Sequence, residues 1–243
     1  MFWLGWLWGV MSPCLAEEEG LLMIPLAVGT QSTQALFGAP TSKNGIIFLH
    51  SRGQNYQQWA YLTRYMSKKG QITMAIDRLP FDVLPPDQQY LQVLAAAQKM
   101  IEAGATHLSC VGIDFSASVC AQAASEEPRI SRVVMISPDW KSNGLELEAY
   151  FRPNIQYLAL YSEYDGHAVR TLEELGVREN LIEISSEKDA MGAKLLLMHP
   201  KMEADMVQWL LKDPQPNDGL PRIPVKPLHE EIVIETKGEK LPW

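Results

Sequence analysis

Residues 107–121, HLSCVGIDFSASVCA, put a carboxylate where a tight turn would display a nucleophile. An apolar strand pattern runs into Gly112-Ile113-Asp114-Phe115-Ser116, and a helix pattern rich in small residues follows. Small residues two places before and after a central position permit a strained strand-to-helix turn that lifts the central side chain clear of the backbone. A serine at that tip would perform acyl transfer, but here Asp114 holds it and Ser116 takes the second small position. Attack by a carboxylate on an ester carbonyl would give an anhydride, so Asp114 could usefully attack only an alkyl carbon. Ser116 and Ser118 are the alternative nucleophiles if the turn is shifted in register.

The elements that must position this turn alternate in type. Residues 21–28 and 33–37 read as an opening antiparallel pair, and Gly45–His50 as a strand buried on both faces. A helix is expected over 55–68, a strand over 71–77 and an amphipathic helix over 87–103. After the turn come a strand at Val133–Ser137, another at 154–163, a short helix at 168–175 and a strand at Leu181–Ser185. A single closing helix is expected over 192–211, with His199 on it as an exposed helix histidine. Strand and helix patterns alternate from 45 to 212, which predicts an α/β fold with a mostly parallel central sheet and helices on both faces.

Composition narrows the function classes. The chain has 243 residues, a formal net charge of −8 and no basic stripe, so nucleic acid and anionic membrane surfaces are poor partners. Residues 1–16, MFWLGWLWGVMSPCLA, carry no charge and run into Glu17-Glu18-Glu19. The run is shorter than the roughly 20 residues of a membrane span and fits a secretory signal peptide cleaved before Glu17. The alternative is a retained hydrophobic segment, and membrane association is expected only through these residues. An exported, periplasmic or extracellular location follows from the signal reading. Cys110 and Cys120 are expected as two buried thiols, since the intervening turn would strain a disulfide. No Cys, His or carboxylate spacing suits a metal, and no cofactor is expected. Residues 213–243 contain Pro214, Pro216, Pro221, Pro224, Pro227 and Pro242, and read as an extended tail with a strand-like stretch at Glu231–Glu235. The tail either wraps its own domain or adds a strand to a protein partner.

Several fragments together resemble the α/β-hydrolase superfamily, in its small, lid-less, dienelactone-hydrolase-like form. They are His50-Ser51-Arg52-Gly53, Gly112 through Ser118, Ile136-Ser137-Pro138, Ser162-Glu163-Tyr164-Asp165-Gly166, and Ala190-Met191-Gly192 before Leu195-Leu196. The resemblance covers about 45–212 and gives residues 17–212 as one domain with no lid. It implies an oxyanion loop at His50, Ser51 and Arg52 with Phe115, His50 bracing the backbone and Arg52 near enough to pair with Asp114 or Asp165. It places the nucleophile at Asp114, because Pro128 then falls at the family's distance for the proline that closes the elbow helix. Dehalogenases and epoxide hydrolases of this fold carry Asp followed by an aromatic, as Asp114-Phe115 does, but also a cap that this chain has no space for. The family's acid falls on Asp165, which a helix N-cap would explain equally. The family's His-Gly pair falls on Met191-Gly192, and methionine cannot accept a proton. His199 is the alternative base.

Two of the three triad positions are therefore substituted. The expectation is a catalytically inactive protein serving as an accessory, binding or assembly subunit, with the tail and the N-terminal segment as contact elements. The alternative is an active hydrolase of small esters or alkyl electrophiles using Asp114 or Ser116, Asp165 and His199.

Overall fold

The computed structural model describes residues 20–139 and 141–212. The expected signal peptide at 1–16, the expected tail 213–243 and its strand-like stretch Glu231–Glu235 lie outside the described residues.

The opening pair forms as the pattern requires. Strands β1 (Leu22–Val28) and β2 (Gln31–Gly38) are antiparallel. Strand β3 (Asn44–Leu49) leads through a single 3₁₀ turn into helix α1 (Ala60–Lys68), and strand β4 (Ile72–Ile76) into helix α2 (Tyr90–Glu102). Strand β5 (His107–Ile113) runs into helix α3 (Phe115–Glu126), followed by strand β6 (Ile130–Ile136). Beyond β6 lies a small hairpin of β7 (Lys141–Ser142) and β8 (Leu145–Glu146). Strand β9 (Gln156–Ser162), helix α4 (Gly166–Leu175), strand β10 (Leu181–Ser186), and helices α5 (Ala193–Met198) and α6 (Pro200–Leu211) complete the domain.

Eight strands make one sheet in the order β1-β2-β4-β3-β5-β6-β9-β10, antiparallel at the β1–β2–β4 end and parallel from β4 to β10. The period-two alternation of the buried strands divides the core between its faces. Ile47, Leu49, Cys110, Val133, Met135 and Ala159 pack toward α2, α3 and α4. Ile46, Phe48, Val111, Ile113, Val134 and Leu160 pack with Trp59, Leu62 and Met66 of the α1 side and with Met202 and Met206 of α6. Because β3, β5, β6 and β9 are covered twice, their residues read as continuous apolar runs.

Two expectations need correction, and one feature is added. Cys110 and Cys120 are joined as a disulfide, their Cα atoms 5.6 Å apart. The turn reverses the chain, so α3 packs back on β5 and brings the two positions within bonding range. The closing helix is two helices that meet at His199, whose backbone sits at φ −130°, ψ 74°. Pro200 is the cause, since proline pushes the preceding residue out of the helical region and then starts a new helix at its own fixed φ. Between β6 and β9 the chain also folds its own hairpin, turned by Asn143 and Gly144 at φ 52° and 84°. Two successive positive φ angles are what a tight two-residue hairpin needs. Apart from one 3₁₀ turn over Leu147–Tyr150, that hairpin is the regular structure described between β6 and β9, so no cap stands there among the described residues.

Candidate functional site

The site is assembled where β3 and β5 end. Chain connection runs outward from these neighbours in opposite directions, β3 to β4 and β5 to β6, and such a reversal leaves a crevice beyond the strand ends. Asp114 occupies the turn after β5 at φ 52°, ψ −123°, a conformation that L residues rarely adopt and that costs on the order of 1–3 kcal/mol. Its N–H donates to the Ile136 carbonyl at 2.9 Å, which ties the turn to the end of β6. Gly112 is indispensable to this bend: a Cβ there would stand 2.3 Å from the Ser116 carbonyl oxygen and 2.7 Å from the Ala117 nitrogen. Asp114, and not Ser116 or Ser118, is therefore the residue at the tip.

Both serines face inward. Ser116 Oγ donates to the His50 carbonyl at 2.7 Å and Ser118 Oγ to the Asp139 carbonyl at 3.2 Å, and both residues are fully buried. Their hydroxyls pin α3 to the loops after β3 and β6.

The Asp114 carboxyl titrates at about 6, raised first by burial and then by the nearby carboxylates of Asp165 and Asp139. The expected Arg52–Asp114 or Arg52–Asp165 pairing does not form. Arg52 instead lies 5.6 Å from the Phe81 ring centre, drawn to the face of an aromatic quadrupole.

Asp165 caps α4, accepting the Ala168 N–H at 3.2 Å, and is almost wholly buried. The Met191–Gly192 segment stands directly against the turn. A Cβ on Gly192, at φ 58°, would be 3.6 Å from each oxygen of Asp114 and 3.5 Å from Ile113 Cγ2. Ser137 Oγ accepts the Gly192 N–H at 2.8 Å and fixes the approach. Beside it the Met191 side chain is more than half exposed. His199 is bonded elsewhere, its Nε2 at 2.7 Å from Ser186 Oγ at the end of β10. The structure thus brings Asp114, Asp165, Asp139 and the Met191–Gly192 segment together and leaves His199 on Ser186.

His50, at the end of β3, accepts the Arg78 N–H on Nε2 at 2.9 Å, so its proton sits on Nδ1 and is donated to the Ser51 carbonyl at 2.8 Å. Burial lowers its pKa, which keeps the ring neutral, as a bracing group requires. Gln58 holds the same loop through the Ser51 N–H at 2.9 Å. Sequence reasoning missed Arg78. Its guanidinium lies 5.2 Å from the Phe81 ring centre and 5.4 Å from that of Phe115, and the two rings meet edge to face. The available signal was a charged pair, Asp77-Arg78, directly after a fully buried strand.

The charged groups that act on the Asp114 carboxyl are the carboxylates of Asp165 and Asp139, and among the described residues the bonds of His50 and His199 go to other partners. General-base activation of a hydroxyl or of water needs an acceptor other than the nucleophile itself. With Asp114 at the tip, the arrangement can bind and orient a ligand, or present a carboxylate to an electrophile.

No protein-family model matches the chain, and no curated protein sequence does. Solved structures match at the level of fold. An esterase of Pyrococcus furiosus is similar at a TM-score of 0.65 and 14% identity over 79% of this chain and 89% of that one. A dienelactone hydrolase of Anabaena variabilis is similar at 0.61 and 16% identity over 79% and 98%. An α/β serine hydrolase homologue of Coxiella burnetii is similar at 0.61 and 9% identity over 78% and 97%. The chain has the α/β-hydrolase fold.

Proposed function

We propose that the chain is a catalytically inactive α/β-hydrolase-fold protein, exported, and acting as an accessory, binding or assembly subunit of a protein complex. The observation that carries this reading is the Met191–Gly192 segment packed against the Asp114 carboxylate, at the place where the fold's hydrolases need a base. Methionine neither accepts a proton nor orients water. Asp165 is engaged by the start of α4 and His199 by Ser186, so neither completes a relay to Asp114. The Cys110–Cys120 disulfide supports export, because such bonds persist in oxidising compartments, and residues 1–16 suit a signal peptide. The tail 213–243 is the proposed contact element for the partner.

The test is fluorophosphonate labelling and a broad ester-hydrolysis screen on the secreted protein, with a pull-down from its own cells. No labelling, no turnover and a stoichiometric partner is the expected result. Labelling at Ser116 or Ser118 would overturn the reading.

A second reading has one observation in its favour: Asp114 is still held at the strained tip of its turn. Strain of this kind persists mainly at functional sites. On this reading Asp114 forms an alkyl ester by displacing halide from a haloalkane or opening the C–O bond of an epoxide, and a mass adduct appears on the 107–129 region under single turnover. Its absence with haloalkane and epoxide substrates removes this version.

A further inference from the structure

The crevice also carries a pair of cations that the proposed function does not use. Arg52, in the loop after β3, and Arg78, directly after β4, lie against the same aromatic ring, each guanidinium within 6 Å of the Phe81 ring centre. Arg78 also covers Phe115, the residue that follows Asp114. Among the described residues neither guanidinium joins an ion pair. Asp77, the adjacent carboxylate, faces His50 Nε2 at 3.7 Å. The charged group that acts on Arg78 is Arg52, another cation. One nitrogen of Arg78, Nη1, is buried without any hydrogen-bond partner.

This is a costly arrangement for a free protein. A partly buried cation, Arg78, is held near a second, exposed one, Arg52, and one buried charged donor has no partner. Attraction to the ring faces holds Arg78 by Phe81 and Phe115 and Arg52 by Phe81, and each guanidinium carries its N–H donors as a planar fork. Forks of this type match the oxygens of a carboxylate or phosphate, with two parallel bonds per guanidinium. Burial and Arg52 bring the Arg78 pKa down to about 10, so the group stays charged at neutral pH.

The geometry points to an oxyanion-binding site formed by Arg52 and Arg78 on the Phe81–Phe115 platform, taking the carboxylate or phosphate head of a ligand. The inference rests on the proposed function only in treating the crevice as a binding site. It gives that site a ligand class: anionic, with at least two acceptor oxygens.

The experiment is calorimetric titration of the full secreted chain with benzoate and with phenyl phosphate, using neutral benzyl alcohol as the control. Saturable binding of at least one anion and none of the alcohol is expected. The stronger of the two identifies the head group as carboxylate or phosphate. Arg78→Gln should weaken binding about tenfold or more, the contribution of a charge-assisted bond. Arg78→Lys should recover part of the loss, since it keeps the charge and not the fork. Arg52→Gln keeps the proposal testable if the Arg78 variants fail to fold. Absence of saturable binding at low-millimolar anion, or equal affinity in wild type and Arg52→Gln, would overturn the inference. The reading of inactivity fails separately: ester turnover together with anion binding would leave the ligand class standing and remove the inactivity, and the converse result would do the opposite.

Discussion

Replacing Asp114 by Asn should make the protein more stable near neutral pH and leave it unchanged in acid. Folding raises this carboxyl from 3.8 to about 6, chiefly by burial and then through Asp165 and Asp139. A carboxyl raised on folding holds its proton more tightly in the native state. Its contribution to stability is therefore complete below 3.8 and is lost as pH climbs through about 6. At 1.36 kcal/mol per pH unit, that rise corresponds to at most about 3 kcal/mol. Asp114 is only partly buried, and solvent screening reduces the figure to ~1–2 kcal/mol. Asn keeps the size and the backbone conformation of Asp, so the strain at φ 52° is common to both proteins and cancels. Urea unfolding at about pH 7.5 and about pH 4 reads the difference, as does a shift in Tm of roughly 2–8 °C at the higher pH. Equal stability of the two proteins at the higher pH would refute the account of the acidic pocket. A gain of the same size at both pH values would show that packing, and not ionisation, separates them.

Other consequences can be read from the same turn. Asp114→Ser alone should show no esterase turnover, whereas Asp114→Ser with Met191→His should exceed it measurably, since the segment that carries residue 191 packs on the turn, a Cβ at Gly192 falling 3.6 Å from the Asp114 carboxylate oxygens. Turnover in the single variant would expose a base that this account lacks. Gly112→Ala should cost about 3 kcal/mol or more, because the new methyl group meets backbone and not a movable side chain; near-wild-type unfolding would show that the turn can relax. Reduction of Cys110–Cys120, ten positions apart, should lower stability by about 2–3 kcal/mol, as closure of a loop of that size implies. Identical denaturation midpoints for the oxidised and reduced chains would contradict it.

What the sequence displayed and what it concealed divide along physical lines. Strands covered on both faces, such as β3 and β5, announce themselves as unbroken apolar runs, and alternation with helices then leaves few topologies. The elbow was legible because its bend demands Gly112 for steric reasons that act over a few residues. His199 was misplaced although Pro200, its cause, stands next to it: apolar spacing on both sides of the break imitates one continuous helix. Asn143-Gly144 is a strong hairpin signal, hidden by strands of two residues each, too short to show a period. The disulfide depends on α3 folding back along β5, a distance that no local pattern states. Arg52 and Arg78 both reach Phe81 because β3 and β4 are neighbours in the sheet. Likewise, whether Asp165 serves a histidine or caps α4 is decided by what the tertiary structure brings to it, here the Ala168 N–H.

The short hairpin between β6 and β9 also bears on time. A cap domain in that interval would gate entry to the crevice and slow both arrival and departure of a ligand. Among the described residues that interval holds β7, β8 and one 3₁₀ turn, and Arg52 and Met191 are exposed, so association passes no cap domain there. The lifetime of any complex is then set by the contacts themselves, and differences in affinity between ligands fall on the dissociation rate. A small anion would be exchanged quickly and sampled often. Long residence would require a partner that itself covers the crevice, so occupancy by a small ligand would report on whether that partner is present.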